Sequence, residues 1–134
     1  MHSEITISQA DPRPMYLQIM EQVRRRIALG DWQPGQEIPS IRALAAQARV
    51  SVITVKRAYL ELEHEGVVTT RQGKGTFVAQ DAQLGENLRQ QELEGHLVRA
   101  ADAGHELGLT AQELASRLHD VARRRGLPDK EGQR

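Results

Sequence analysis

The sequence predicts a mainly α-helical chain with one small β hairpin, built in two parts. Three observations carry this. Apolar residues recur at helical spacing along most of the 134 residues. Two short helices, each opened by a serine, are separated by a tight turn. Directly after them, two β-rich runs flank a glycine-containing turn. The fold class is therefore an N-terminal winged helix-turn-helix, residues 1–79, followed by a C-terminal α-helical hairpin, residues 80–134. The boundary follows a change in composition. Residues 11–79 hold every proline but one and all four aromatics, Tyr16, Trp32, Tyr59 and Phe77. After Ala79 the chain turns to Leu, Ala, Gln, Glu and Arg.

The first helix is expected to start near Pro14, since proline is tolerated in a first turn. Met15, Ile19, Val23 and Ile27 then form one apolar stripe, and Gly30 stands as the residue past the end. Asp31 to Gly35 is a loop with a Pro-Gly turn, in which Trp32 is expected to be core. Ser40 caps the second helix, with Ile41, Leu44, Ala45 and Ala48 on one face. Arg49-Val50 makes the turn. Ser51 caps the third helix, which runs up to Gly66 with Val55, Ala58, Tyr59 and Leu62 inward. Residues 67–71 and 76–79 are the strands of the hairpin. In the tail, a helix over about 83–106 precedes a second one opened by the capping box Thr110-Ala111-Gln112-Glu113.

Composition narrows the function. Hydrophobic residues at 39% and charged residues at 27% fit a folded water-soluble chain. The absence of cysteine excludes disulfides, a Cys-based zinc site and an Fe–S cluster, and favours a cytoplasmic protein. No apolar run approaches the roughly 18 residues of a membrane span, and Met1-His2-Ser3-Glu4 lacks a secretion signal's apolar region. The formal charge of zero argues mildly against a nucleic-acid partner. Its distribution softens that argument: residues 1–80 carry ten Lys/Arg against eight Asp/Glu, and residues 81–134 carry eight against ten. A binding surface depends on local potential rather than on the sum.

Several stretches together resemble the N-terminal domain of the GntR family of bacterial transcription regulators. They are Pro14-Met15-Tyr16-Leu17-Gln18-Ile19, the run from Pro34 to Ala45, Val50-Ser51 with Thr54-Val55, Ala58-Tyr59, Leu62 to Gly66, and Gly73-Lys74-Gly75-Thr76-Phe77-Val78. The short helical tail resembles the YtrA subgroup. The resemblance implies a dimeric winged-helix repressor, often of transporter operons.

The residues themselves suggest how such a protein would work. Residues near the start of the third helix enter the major groove in this kind of docking. The DNA-binding candidates are Ser40, Arg42, Ser51, Val52, Ile53, Thr54, Lys56, Arg57, Arg71, Gly73, Lys74 and Gly75. Lys56 reaches guanine O6/N7 as a point charge. Arg42 matches the family's arginine at the start of the second helix and clamps a phosphate or a guanine. Arg71 and Lys74 follow the backbone or enter the minor groove from the wing, where Gly73 and Gly75 permit close approach. Many relatives have polar or Arg residues where this chain has Val52 and Ile53. Either one of this pair meets a thymine methyl, or it packs on the second helix. Arg24-Arg25-Arg26 fits a solvated face or an i,i+4 pair with Glu21.

One winged helix reads few base pairs, so an inverted-repeat operator and a homodimer are expected. The dimerisation candidates are Leu84, Leu88, Leu93, Leu97, Ala101, Leu114, Leu118 and Val121, an apolar stripe on two helices. The expected partners are duplex operator DNA and a second copy of the chain; the tail leaves little room for a conventional ligand pocket, so an unidentified small-molecule effector would bind at the dimer seam. No cofactor is expected. The five histidines make no close metal-ligand pattern, and Gly73-Lys74-Gly75-Thr76 lacks Walker A spacing, so neither a metal site nor an enzyme is expected. The rival function is a protein-interaction or RNA-binding module on the same fold.

Overall fold

The computed structural model describes residues 5–132. The elements in chain order are α1 (Met15–Ala28), β1 (Glu37–Ile38), α2 (Ile41–Ala48), α3 (Val52–His64), β2 (Val68–Arg71), β3 (Gly75–Val78), α4 (Leu84–Glu106) and α5 (Ala111–Arg124). The predicted winged helix-turn-helix is present, and its sheet has one strand more than expected. The strand order is β1-β3-β2, antiparallel throughout, with Glu37 opposite Phe77 and Thr70 opposite Thr76. At two residues, β1 is too short to leave a periodic signal.

Capping explains where the helices begin. Ser40 Oγ accepts the Ala43 amide at 3.1 Å, and Ser51 Oγ accepts the Thr54 amide at 3.1 Å. Each bond satisfies one of the amides that a first turn leaves without a partner. The helices are separated by Arg49, whose φ of 56° is left-handed. That conformation turns the chain without a glycine, at the steric cost a Cβ carries there. In the tail, Thr110 Oγ1 accepts the Glu113 amide, and Glu113 Oε1 accepts the Thr110 amide at 2.9 Å, so both bonds of the capping box form.

Two compact units divide between Gln90 and Gln91. In the first, α1, α3 and the sheet enclose one core. Ile19, Val23 and Ile27 are buried as their spacing predicts, as are Trp32, Leu44, Val55, Ala58, Tyr59 and Leu62. Met15 departs from its stripe and is 38% exposed, because it opens the helix. The Tyr59 hydroxyl donates to Pro39 O at 2.8 Å, and burial pushes its pKa well above the ordinary tyrosine range. Ile5 also enters the core, and the buried Gln18 amide accepts Ser8 N–H at 3.0 Å.

The same core takes in the first turns of α4. Leu84 and Leu88 are 7% and 5% exposed and belong to the winged-helix cluster. Arg89 Nη1 donates to Ala28 O at 2.5 Å, and a Cβ on Gly85 would stand 3.3 Å from Ile27 O. This corrects their assignment to a dimer face. It also carries the first unit well beyond the composition change at 79/80. Periodicity shows that Leu84 and Leu88 share a helix face; it does not say which neighbour covers that face.

In the second unit the rest of α4 is joined to α5 by a short turn. There Leu114 lies over Gly104, where a Cβ would come within 3.3 Å of its side chain. Gly104 is buried, and α5 buries no residue. Leu93, Leu97, Val98, Leu107, Leu118 and Val121 are all exposed. No described helix is long and apolar enough to cross a membrane.

Candidate nucleic-acid interface

The helix-turn-helix carries a strong local charge that the whole-chain sum conceals. Residues 38–60 contain Arg42, Arg49, Lys56 and Arg57 and no aspartate or glutamate. All four cations are exposed. Carboxylates return at Glu61, Glu63 and Glu65, toward the far end of α3. The first half of α3 therefore projects cationic and neutral groups only, from the end where the helix dipole is positive and where amides are free to meet a phosphate.

Each candidate has a definite place. Arg42 is the second residue of α2, exposed, just past the Ser40 cap. Val52 and Ile53 open α3 and are 46% and 79% exposed. They do not pack into the core with Val55 and Ala58. Lys56 and Arg57 follow on the next turn. Ser51 and Thr54 are committed to each other: besides the cap bond, their hydroxyl oxygens lie 2.8 Å apart. Their main contribution is to begin the helix and aim its first turn.

Arg57 is held by a residue that charge counting overlooks. Its guanidinium lies 3.8 Å from the centroid of the Tyr16 ring, and Nη2 donates to the Tyr16 hydroxyl at 3.2 Å. Stacking on an aromatic face restricts a long side chain while leaving its charge outward. A second link joins α1 to the end of α3. Arg24 donates from Nε to Glu65 Oε1 at 2.9 Å and from Nη2 to Oε2 at 2.8 Å. Arg24 is thus in a bidentate pair with Glu65, and Glu21 takes Arg13 at 2.5 Å. The arginine run by itself does not anticipate this pair for Arg24. The partner lies 41 residues away, and no sequence spacing signals it.

The wing is anchored to the same helix. Glu63 Oε2 accepts the outward-facing Thr70 amide of the edge strand β2 at 3.1 Å. Lys74 N donates to Arg71 O at 2.9 Å and closes the tip, where Gly73 has φ 77°. Arg71 stacks over Phe77 at 4.9 Å, while Lys74 and Gly73 are exposed. Gly75 is required by its φ of 130°; a Cβ there would also displace the flexible end of Glu37, 2.8 Å away at Oε2. The fold therefore supports two cationic groups, one on α2 and α3 and one on the wing. Of the dimerisation candidates, Leu93, Leu97, Ala101, Leu118 and Val121 are exposed, Leu114 is half-buried against Gly104, and Leu84 and Leu88 lie in the core.

Comparison with known proteins agrees with this geometry. The family described as bacterial regulatory proteins, gntR family, matches residues 15–78. The uncharacterised HTH-type transcriptional regulator YhcF of Bacillus subtilis is 37% identical over 102 residues, 76% of this chain and 84% of that protein. The HTH-type transcriptional repressor YtrA of the same organism is 40% identical over 77 residues, 55% of this chain and 59% of the repressor. A crystal structure of the AraR DNA-binding domain with operator ORX1 superposes with a TM-score of 0.54 at 33% identity, covering 59% of this chain and all of that one. These relatives are regulators, not enzymes. The chain belongs to the gntR family and is a DNA-binding transcription regulator of the YtrA type.

Proposed function

We propose that this regulator is a homodimeric repressor of an inverted-repeat operator, acting in the cytoplasm. In this reading the first turns of α3 enter the major groove, and Arg71 and Lys74 of the wing lie along the backbone or in the minor groove. The observation that carries it is the cationic, carboxylate-free surface of residues 38–60, with an exposed leading turn on a firmly capped helix. Phosphate contacts there supply affinity that falls steeply with salt. Base contacts from Lys56, Arg42 and the turn that opens α3 supply selectivity.

The second copy answers a shortage in the tail. Leu93, Leu97, Leu118 and Val121 remain between 38% and 54% exposed among the described residues. Isologous packing of two tails removes that surface from water and holds two reading helices at a fixed pitch. The likeness to the repressor YtrA supports repression, and a transporter operon is the target which that likeness suggests. An effector, if one acts, is assigned to the seam between the tails.

The test is selection of bound duplexes from a random pool with the purified full chain. Enrichment of an inverted repeat, with loss of binding on neutralising Arg42 and Lys56, is the expected result. Binding that survives neutralisation, or preference for RNA or a protein, supports the interaction-module alternative.

A further inference from the structure

We infer that Ile53 is a specificity residue that takes the C5-methyl group of a thymine, so that each half-site carries a thymine at one determined position. This rests on the proposed duplex reading. The sequence alone leaves Val52 and Ile53 divided between base contact and packing. Burial separates them. Ile53 is 79% exposed, more than any other large apolar residue described, while Val52 is about half covered.

A single exposed isoleucine is ordinary on a protein surface. Its setting is not. Ile53 stands second in α3, just past the Ser51 cap, inside the stretch from 38 to 60 that holds four cations and no carboxylate. Lys56 follows one turn later on the same side of the helix. A β-branched residue gains nothing for the helix there, since its intrinsic preference is below that of alanine. The core does not require it either.

Complementarity then selects the base. The cations draw the helix to a polyanion, but Ile53 itself bonds neither phosphate nor a polar base edge. The major groove offers one apolar feature, the thymine methyl. Adenine, guanine and cytosine present N6, N7, O6 or N4 at their groove edges, and isoleucine would strip water from these without replacing its hydrogen bonds. Discrimination thus has two parts: a methyl gained at thymine and a desolvation cost at the other bases. The neighbouring hydroxyls do not compete for the position, because those of Ser51 and Thr54 bond each other.

The experiment uses the full chain and the tightest duplex from the random-pool selection. That duplex is resynthesised with each thymine in turn replaced by deoxyuridine, which removes the methyl and nothing else. One thymine per half-site is expected to weaken binding by about four-fold when replaced, the factor that burying one carbon group gives. The other thymines should change little. Ile53→Ala should lose a similar factor on the thymine duplex and lose nothing further on the deoxyuridine duplex, a non-additive cycle. An unchanged thermal melt of Ile53→Ala separates this from misfolding. Retention of the full deoxyuridine effect in Ile53→Ala, or no sensitive thymine anywhere, overturns the assignment while leaving duplex reading intact. Failure to enrich any duplex overturns both.

Discussion

Both halves of this chain carry leucine-bearing helices, and their outcomes are opposite. Up to Gln90, apolar stripes close on one another: Ile19, Leu44, Val55 and Leu62 are wholly buried, and even the first turns of α4 are drawn in through Leu84 and Leu88. Beyond Gln91, among the described residues, no large apolar side chain is buried, although leucines recur there too. Burial of apolar area is the main favourable term in folding. The first unit therefore holds its shape by its own contacts, and the second relies on helix caps until something covers it. Amphipathic spacing establishes a helix with a sided surface; it is silent on whether the cover lies in the same molecule.

Parallel truncations break this comparison most directly. Leu62→Ala opens a cavity in the first unit and should cost about 2–5 kcal/mol of unfolding free energy by denaturant titration. Leu118→Ala should leave the unfolding of that unit within about 0.5 kcal/mol, and act on the concentration dependence of self-association. Equal losses at the two positions would show that the tail completes its own core after all.

A charged pair at the seam sharpens the point. Leu97→Asp together with Leu118→Asp should give a monomer by sedimentation, with operator affinity lower by on the order of a hundredfold or more, since two linked half-sites bind far more tightly than one. A variant that stayed dimeric would move the interface elsewhere.

Smaller effects are expected on the charged surface. Arg42→Ala and Lys56→Ala should each lower duplex affinity, and each should lessen the slope of log affinity against log salt by about one. The corresponding change at Arg99, on the tail, should leave that slope alone.

The smallest effect concerns pH and the tail only. The Thr110 backbone amide, then its hydroxyl, hold Glu113 below its ordinary carboxylate value of 4.5. A carboxyl whose folded pKa is lowered contributes stability above its unfolded pKa and loses it as pH falls through the folded one. Helical signal from α5 should thus decline as acid is added below about pH 4.5, and Glu113→Gln should flatten that decline. An unaltered profile in circular dichroism would remove the carboxylate from the cap.

Much of the reading surface is legible in the chain itself, because its signals are local. Ser40, Ser51 and Thr110 each place a helix start within a few residues of the amides they satisfy, and a β-rich run on either side of Gly73 and Gly75 makes the wing. The deficits all lie between elements. The stack of Arg57 on Tyr16 and the pairing of Arg24 with Glu65 each join residues 41 apart, and the Glu63 bond to Thr70 depends on a sheet edge meeting a helix. The strand β1 exists only because β3 offers it an edge.

Helix starts, turns, the inward face of α3 and the excess of cations between 38 and 60 follow from neighbours in the chain, since caps, glycine torsions and 3.6-residue periodicity act over a few residues. Leu88 and Leu97, on one continuous helix, stand on opposite faces of it, since nine residues make about two and a half turns. Which face finds cover is decided by packing: Leu88 joins the core of the first unit, beside the bond of Arg89 to Ala28 O, and Leu97 stays 38% exposed.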